Sequence, residues 1–481
     1  MVRITFIGAS SLVFSKVLVM DILSTPSLRD SELVLMSRTP EKLDWIHDYV
    51  KRLISDNDLP AKVRATTNRR RALEGADYVI TMLQTGGVDA FKKDYEIPLK
   101  YGVDLCIAND GGPAGVMRSA RTIPVMLDIV KDMEELCPKA LLFNYVNPMC
   151  SVCIAIGKTS GISFIGLCHG VQVTLDTIAR YVGVEKNRID YLAAGINHMC
   201  WFLKLEEEGR DLYPTFKERI EQPEYYLPEK VRCETMRYFG YFMTESSGHL
   251  SDYVPYFRRN KESLALYCDQ SGFGGESGAA LKNFERGTKL FRNRNYLASE
   301  STQLKDRSIE HCSYIIEAFE TGKPYTLNAN VINRDFIRNL PKGCCVEIPV
   351  TVDGNGIQPH IVGEIPAQLA GLCQTNVTVQ MITVEACLKK DLELLFQAMA
   401  LDPLTSSVLS LKQIRDMCIE LIESEREYLG HFKGQVLRPK SSIHIPTGTR
   451  PVETPLDPAL AVVHHLQGLG KKKRTGRNSF S

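Results

Sequence analysis

One cysteine and two histidines stand at positions where their side chains could hold a metal ion. Cys168 and His169 follow the apolar run 163–167, and His198 comes thirty residues after Cys168. A thiolate and an imidazole bind divalent transition metals, and a site with few protein ligands leaves positions open for substrate oxygens. Without an HExxH pattern, the same side chains also occur as separate buried or surface groups. A catalytic metal site is therefore one of two interpretations.

The residues after the first apolar run could hold a phosphate. Arg3–Ile7 is predicted to be a strand, and Gly8, Ala9 and Ser10 lead from it into a helix. Such a turn presents backbone N–H groups and the positive helix end to a phosphate. The strict dinucleotide fingerprint has three glycines, so an ordinary strand-to-helix turn is the alternative.

The end of the second predicted strand bears on which nucleotide would bind. Ser37 and Arg38 stand where NAD-binding folds carry an acidic residue for the ribose 2′-hydroxyl. A guanidinium suits a 2′-phosphate. NADP is therefore considered beside NAD, and a solvated Arg38 is the alternative.

The pattern of elements predicts an α/β fold. Over residues 1–195, short β-rich runs alternate with helical stretches, which is typical of a Rossmann-like, doubly wound parallel sheet. Further strands are predicted at 78–83, 105–108, 140–145 and 163–167, so the polar residues that follow these strands should collect at one sheet edge. We expect a nucleotide-binding domain over 1–195, an α+β substrate and oligomerisation lobe over 196–433, and a mobile basic tail over 434–481.

Composition excludes several classes of protein. The 481 residues include 58 Lys+Arg and 57 Asp+Glu, which argues against a disordered chain or a nucleic-acid partner. No run approaches the ~18 apolar residues of a membrane helix, and no signal-peptide pattern precedes the first strand. The 14 Cys are scattered, as is typical of reduced thiols. We expect a cytoplasmic protein with no membrane partner.

Eight ordered motifs together resemble glycoside hydrolase family 4, the NAD- and metal-dependent glycosidases, and most of all its melibiase-type α-galactosidases. The motifs are ITFIGA (4–9), RTIPV (121–125), NYVNPM (144–149), GLCH (166–169), AGINHM (194–199), GYFMTESS (240–247), NLPKGCCVE (339–347) and GNGIQP (354–359). The resemblance implies a nucleotide-binding lobe of the lactate/malate dehydrogenase type and assembly into homodimers or homotetramers.

The resemblance also implies roles for individual residues. Cys168 and His198 would bind the metal, usually Mn²⁺, and Asn147 would contact substrate hydroxyls near the nicotinamide. His169 takes the position that serves as proton donor in the phosphoglycosidase branch, where the residue is Asp. Tyr253 is the best match to the family's tyrosine base, with Tyr256 and Tyr241 as alternatives.

The mechanism that the resemblance implies begins with hydride transfer from sugar C3 to NAD(P)⁺. The ketone acidifies the C2 hydrogen, a base removes it, and the C1 substituent is expelled. Water addition and hydride return complete hydrolysis of a small α-linked oligosaccharide or glycoside. Such chemistry does not need the paired carboxylates of ordinary glycosidases.

Three loops depart from the family pattern. The segment 109–115 begins with Asn109 where the family has Asp, so an acidic side chain is displaced or lost. Gly248 follows the TESS run where Glu is usual. Gly170 replaces the Ser of the melibiase Cys-His-Ser-Val motif.

The predicted function is an exo-acting α-glycosidase, with α-galactosidase leading and α-glucosidase or α-glucuronidase as alternatives. A uronate would need a cationic clamp, for which Arg118 and Arg307 are candidates, with structural ion pairing as the other interpretation of both. From other classes, an NAD(P)-dependent dehydrogenase or a non-catalytic sugar or nucleotide sensor remains open.

Overall fold

The computed structural model describes residues 1–291, 295–452, 459, 462–463 and 465–467. It divides into two compact units, Met1–Pro439 and Lys440–Ser481. In the second unit, residues 440–452 are exposed and contain no helix or strand. The basic run at 471–474, which is part of the predicted mobile tail, lies outside the described residues. Among the described residues, no helix has the length and apolar character needed to cross a bilayer.

The strands of the first unit form one sheet. They are β1 (Arg3–Ile7), β2 (Glu32–Met36), β3 (Lys62–Thr66), β4 (Tyr78–Thr81), β5 (Leu141–Asn144), β6 (Phe164–Gly166), β7 (Asp190–Ile196), β8 (Met199–Glu207), β9 (Arg210–Asp211), β10 (Tyr325–Ile332), β11 (Cys345–Asp353) and β12 (Gly356–Pro359). Their order is β3-β2-β1-β4-β5-β6-β10-β11-β7-β8-β9, with β12 beside β11.

The α-helices of this unit lie among these strands along the chain, and the last four of them follow β12. They are α1 (Leu12–Ser24), α2 (Pro40–Asp56), α3 (Arg69–Leu73), α4 (Gly87–Tyr101), α5 (Gly112–Leu136), α6 (Met149–Thr159), α7 (Gly170–Val182), α8 (Tyr213–Ile220), α9 (Pro223–Tyr226), α10 (Lys230–Phe239), α11 (Ser247–Tyr253), α12 (Lys261–Tyr267), α13 (Ala279–Leu290), α14 (Asn295–Ala298), α15 (Cys312–Thr321), α16 (Ala367–Lys389), α17 (Leu392–Leu401), α18 (Pro403–Val408) and α19 (Leu411–Ser424).

The first six strands are parallel, in the order that a doubly wound sheet requires. Their apolar residues are buried on both faces, because helices cover both sides of the sheet. The predicted Rossmann-like α/β class is confirmed. The sheet continues through antiparallel strands into the second half of the chain, and β7 crosses residue 195. The subdivision into two lobes there stays a prediction.

The strand predicted at 105–108 is wrong. The backbone N–H groups of Cys106, Ile107 and Ala108 donate to the carboxylate of Asp252 at 2.9, 2.9 and 3.2 Å. A side chain from α11 thus takes the hydrogen bonds that a neighbouring strand would have supplied. The segment is buried, which explains its strand-like apolar sequence.

Candidate active site

Three potential metal ligands meet at the carboxyl edge of the parallel strands. Cys168 follows β6, His198 lies in the turn between β7 and β8, and Glu245 precedes α11. One ligand atom from each lies within 4.8 Å of those of the other two. Oε1 of Glu245 is 2.9 Å from Sγ of Cys168 and 3.8 Å from Nε2 of His198. The two residues predicted as ligands are therefore brought together, and a carboxylate joins them.

A carboxylate lies on the other side of the His198 imidazole. Oδ2 of Asp110 lies 3.0 Å from Nδ1 of His198, and both side chains are nearly inaccessible to solvent. A carboxylate at one ring nitrogen leaves the other nitrogen free as a metal ligand. The acidic group that Asn109 lacks is thus displaced by one residue to Asp110.

The charges around the cluster favour a cation. Burial and the neighbouring Glu245 raise the pKa of the Cys168 thiol well above its usual value. Burial raises the pKa of Glu347 on β11 to about 8, with Glu245 adding to the effect. Burial alone would raise the pKa of Glu245, but the charges of His198 and His249 outweigh it and lower the pKa to about 2. Further negative charge is penalised at this site, so a bound divalent cation would be stabilised.

Buried polar atoms near the cluster lack protein partners. Oε1 of Glu347, Nδ2 of Asn197 and Oδ1 of Asp110 make no hydrogen bond within the described residues. Unpartnered buried polar atoms are costly. Together with the sulfur, nitrogen and oxygen donors, they make the site compatible with a divalent ion and substrate hydroxyls.

His169 stands at the first turn of α7, beside the cluster. Its Nδ1 lies 3.1 Å from Oε1 of Glu310, and the imidazole is 44% exposed while the carboxylate is largely buried. The hydrogen bond to Glu310 raises the pKa of His169 against the opposing effect of burial. The ring can therefore carry a proton while one edge remains open to solvent.

The three tyrosines that are alternatives for the base lie in different surroundings. The ring of Tyr253 lies against Gly111, where a Cβ would be 3.4 Å from the ring. Burial and the charge of Asp110 raise the pKa of Tyr253 well above its usual value. Tyr256 is 44% exposed and lies beside the Phe239 ring, whereas Tyr241 packs on Tyr213.

Asn147 follows β5 and is anchored through its backbone. Nε of Arg118 donates to the carbonyl of Asn147 at 3.3 Å. Burial lowers the pKa of Arg118 to about 10, although Asp110 opposes the effect. Arg307, the other candidate clamp, pairs with Glu317 at 2.7 Å and stacks on Tyr314.

The turn after β1 has the shape of a nucleotide cradle. Gly8 has φ of 99°, and a Cβ there would lie 2.6 Å from the carbonyl oxygen of Met82, so only glycine fits. The N–H groups of Gly8 and Ala9 both donate to the carbonyl of Met36. The N–H groups left for a phosphate are those of the first turn of α1, which have no partner within the helix.

The second part of the cradle is the end of β2. The hydroxyls of Ser37 and Ser10 are 2.7 Å apart, which ties this strand end to the turn after β1. Arg38 follows and is exposed. The residues predicted for the nucleotide thus lie at one edge of the sheet.

Sequence reasoning missed Asp110, Glu245 and Glu347 as parts of the site. Glu245 lay within the TESS motif, and Glu347 was a lone charge in an apolar strand, which is itself a signal. The sequence gives no sign of the backbone conformation at the site. Positive φ occurs there at Ala108, His198 and Glu245, none of which is glycine. Such conformations concentrate at functional sites.

Comparison with known proteins shows the family to which the chain is similar. Residues 3–184 match the model described as family 4 glycosyl hydrolase, and residues 193–405 match the C-terminal domain of that family. An alpha-galactosidase of Bacillus subtilis (strain 168) is 38% identical over 436 residues, covering 90% of this chain and 100% of the relative. An alpha-galactosidase of Rhizobium meliloti (strain 1021) is 36% identical over 441 residues, covering 89% of each.

A solved structure shares the fold. A 6-phospho-alpha-glucosidase from gut microorganisms, in complex with NAD and Mn²⁺, has a TM-score of 0.74 at 19% identity and covers 89% of this chain and 98% of that chain.

The sheet order, the glycine turn and the sulfur, nitrogen and oxygen cluster define a Rossmann-like α/β protein with a candidate metal site beside a candidate nucleotide cradle. The chain belongs to family 4 of the glycosyl hydrolases. The family predicted from the eight motifs is confirmed.

Proposed function

We propose that this protein is an exo-acting α-galactosidase that uses NAD(P)⁺ and a divalent ion, with Mn²⁺ the leading candidate. The observation that carries the proposal is the convergence of Cys168, His198 and Glu245 at the sheet edge that also bears the Gly8 turn. The identity to two alpha-galactosidases supports the choice of sugar.

The residues that would hold the two groups are those described above. Cys168 and His198 would ligate the metal, and the turn at Gly8, Ala9 and Ser10, with Ser37 and Arg38, would hold the nucleotide. When bound, the nucleotide supplies a hydride acceptor and the metal supplies positive charge for the sugar oxygens and nearby acids.

The protein's own residues would orient the sugar and move its protons. Asn147, fixed through Arg118, would contact a sugar hydroxyl. Burial and Asp110 raise the pKa of Tyr253, so its phenol is neutral until it loses its own proton. The positive charge of a bound ion would offset this effect, and Tyr253 as a phenolate would take the proton from sugar C2. Burial of the phenol excludes water, which strengthens electrostatic interactions at the reacting carbon.

His169 would donate a proton to the oxygen atom of the leaving group as the bond to sugar C1 breaks. Its Nδ1 is engaged by Glu310, so the opposite ring nitrogen is the one that would face substrate. The exposed edge of the ring allows reprotonation from solvent. The carboxylate fixes the ring's orientation and stabilises its charged form, as in other carboxylate–histidine pairs.

The test is hydrolysis of aryl α-galactoside, α-glucoside and α-glucuronide with NAD⁺ or NADP⁺ and Mn²⁺ under reducing conditions. We expect the α-galactoside to be cleaved fastest and cleavage to stop when nucleotide and ion are both removed. Undiminished cleavage without them would overturn the proposal. Faster cleavage of another glycoside would reassign the sugar, net formation of reduced cofactor would indicate a dehydrogenase, and binding without turnover would indicate a sensor.

We also propose a cytoplasmic location and a homodimeric or homotetrameric state. Within the described residues, which include every cysteine, all thiols are free. A thiolate ligand needs a reducing compartment. Light scattering of the purified protein tests the assembly, and fractionation of cells tests the location.

A further inference from the structure

Gly170, the first residue of α7, leaves room for the side chain of Glu245. A Cβ on Gly170 would lie 1.8 Å from Oε1 of Glu245 and 2.5 Å from its Cδ. No side chain larger than hydrogen is therefore compatible with the observed place of this carboxylate. Gly170 is also one of the positions at which the chain departs from the melibiase-type pattern.

Glu245 is held in its place by several independent features. Its backbone has φ of 74°, in the left-handed region that non-glycine residues rarely adopt. The conformation directs the carboxylate between Sγ of Cys168 and Nε2 of His198. Ser246, the next residue, caps α11 by accepting from the N–H of His249, which fixes the chain after the turn.

We propose that Glu245 is a third protein ligand of the divalent ion and that Gly170 provides the space it needs. The inference rests on the metal dependence proposed above and adds a residue to that site. A thiolate and a carboxylate together balance the charge of a divalent ion, and an oxygen donor suits a hard ion such as Mn²⁺. Three protein ligands leave further positions for substrate oxygens.

The competing explanation is that Glu245 only accepts a hydrogen bond from the Cys168 thiol. In that case the carboxylate would orient the sulfur without binding metal. A metal titration shows whether Glu245 contributes to metal binding, and a metal spectrum distinguishes a ligand from an outer partner of Cys168, even in the absence of substrate.

The experiment measures Mn²⁺ binding to the full-length protein without substrate, by electron paramagnetic resonance of the free ion. The variants are Glu245→Ala, Gly170→Ser and their combination. Loss of an outer partner of a metal ligand already weakens binding by about 10- to 100-fold, and we expect at least about tenfold weakening in each single variant. Because Gly170→Ser acts by displacing Glu245, it should cost nothing further in a protein that already carries Glu245→Ala.

Matched control variants show whether weaker Mn²⁺ binding results from the change at Glu245 or from a general loss of structure. Gly161→Ser adds the same side chain where nothing lies within 4 Å, and Glu364→Ala removes an exposed carboxylate that is not part of the cluster. Both should bind Mn²⁺ as the parent does. Circular dichroism confirms that each variant is folded.

The spectrum of the Co²⁺-loaded protein gives a second readout. Glu245→Ala should keep the thiolate-to-cobalt charge-transfer band from Cys168 but alter the ligand-field bands, which report the number and kind of ligands. Unchanged ligand-field bands in Glu245→Ala, with the charge-transfer band retained, would contradict the assignment.

The outcomes distinguish this inference from the proposed function. Unchanged Mn²⁺ affinity in Glu245→Ala, or equal and additive losses in the combined variant, would overturn the ligand assignment while metal-dependent cleavage by the parent protein still stands. Weakened binding together with altered ligand-field bands, with no glycoside cleaved by the parent protein, would support the ligand assignment and overturn the function.

Discussion

Asp110 lies 3.0 Å from Nδ1 of His198, on the side of the ring away from Glu245. Burial lowers the pKa of the imidazole, but Asp110 and Glu245 outweigh it and bring the pKa of His198 to about 9. The pair thus has the form of a carboxylate that orients a metal-binding histidine and increases its basicity. The family pattern has an acidic residue where this chain has Asn109, and in this chain the neighbouring Asp110 supplies the negative charge.

We expect Asp110→Asn to weaken Mn²⁺ binding by about 10- to 100-fold. The amide keeps the size of the side chain but loses the charge that holds His198, so the imidazole becomes a poorer ligand. A Mn²⁺ titration measures the change. Asp44→Asn, an exposed carboxylate on α2, is the control and should bind normally. Equal affinities for parent and Asp110→Asn would show that His198 does not depend on Asp110.

The choice of nucleotide is expected to depend on Arg38. An exposed guanidinium at the end of β2 suits a 2′-phosphate and offers little to a 2′-hydroxyl. Arg38→Ala should weaken NADP⁺ binding by at least about tenfold, which is about 1.4 kcal/mol, and change NAD⁺ binding little. Calorimetric titration with each nucleotide measures this, with Lys42→Ala as the control. Equal weakening for both nucleotides would contradict the assigned role.

How far the sequence predicts the structure differs from one element to another. The strands at Tyr78–Thr81 and Leu141–Asn144 lie inside their predicted ranges, because buried parallel strands are continuous apolar runs bounded by polar residues. Residues 105–108 have the same local signal, but their hydrogen bonds go to Asp252, far along the chain. Local patterns do not encode such a distant partner.

The residues of the candidate site were also predicted only in part from local sequence patterns. Cys168 was found because it follows a predicted strand, and both Cys168 and His198 stand within motifs that carry the family resemblance. Glu245 was not found, since its position depends on a left-handed backbone and on the missing side chain of Gly170. Neither condition can be inferred from one residue alone, because Gly170 and Glu245 are distant in sequence and meet only in the folded chain.

The departure at Gly248 is expected to matter for stability. A Cβ on Gly248 would lie 2.5 Å from Sγ of Cys106 and 2.7 Å from the carbonyl oxygen of Phe273. Gly to Ala usually stabilises a helix by about 0.5–1 kcal/mol, but here the added methyl meets backbone that cannot easily move.

Gly248→Ala should therefore lower the free energy of unfolding by about 1–3 kcal/mol, the usual cost of overpacking. Thermal denaturation followed by circular dichroism measures the loss. Gly161→Ala, where nothing lies within 4 Å, is the matched control and should show no comparable loss. A Gly248→Ala variant as stable as the parent would mean that the segment carrying Phe273 can shift freely.

Asp402 should make stability depend on pH in a manner that Asp402→Asn abolishes. Burial raises its pKa to about 6, although Thr405 and the N–H of Gly112 donate to the carboxylate. An unfolded Asp has a pKa of about 3.9, so between these values the folded state binds more protons and stability falls as pH rises. The contribution is fully present below about pH 4 and is lost above about pH 6, a difference of about 3 kcal/mol.

Urea denaturation of the parent and Asp402→Asn between pH 4 and pH 7.5 measures this contribution. Other titrating groups are common to both proteins, so they cancel in the difference between the two stabilities. The amide oxygen that Asp402→Asn introduces can still accept from Thr405, and any loss at Gly112 is independent of pH. We therefore expect the parent to lose about 3 kcal/mol relative to the variant as pH rises through 6. Parallel stability curves would mean that the Asp402 carboxyl has the same pKa in both states, and that its hydrogen bonds offset burial completely.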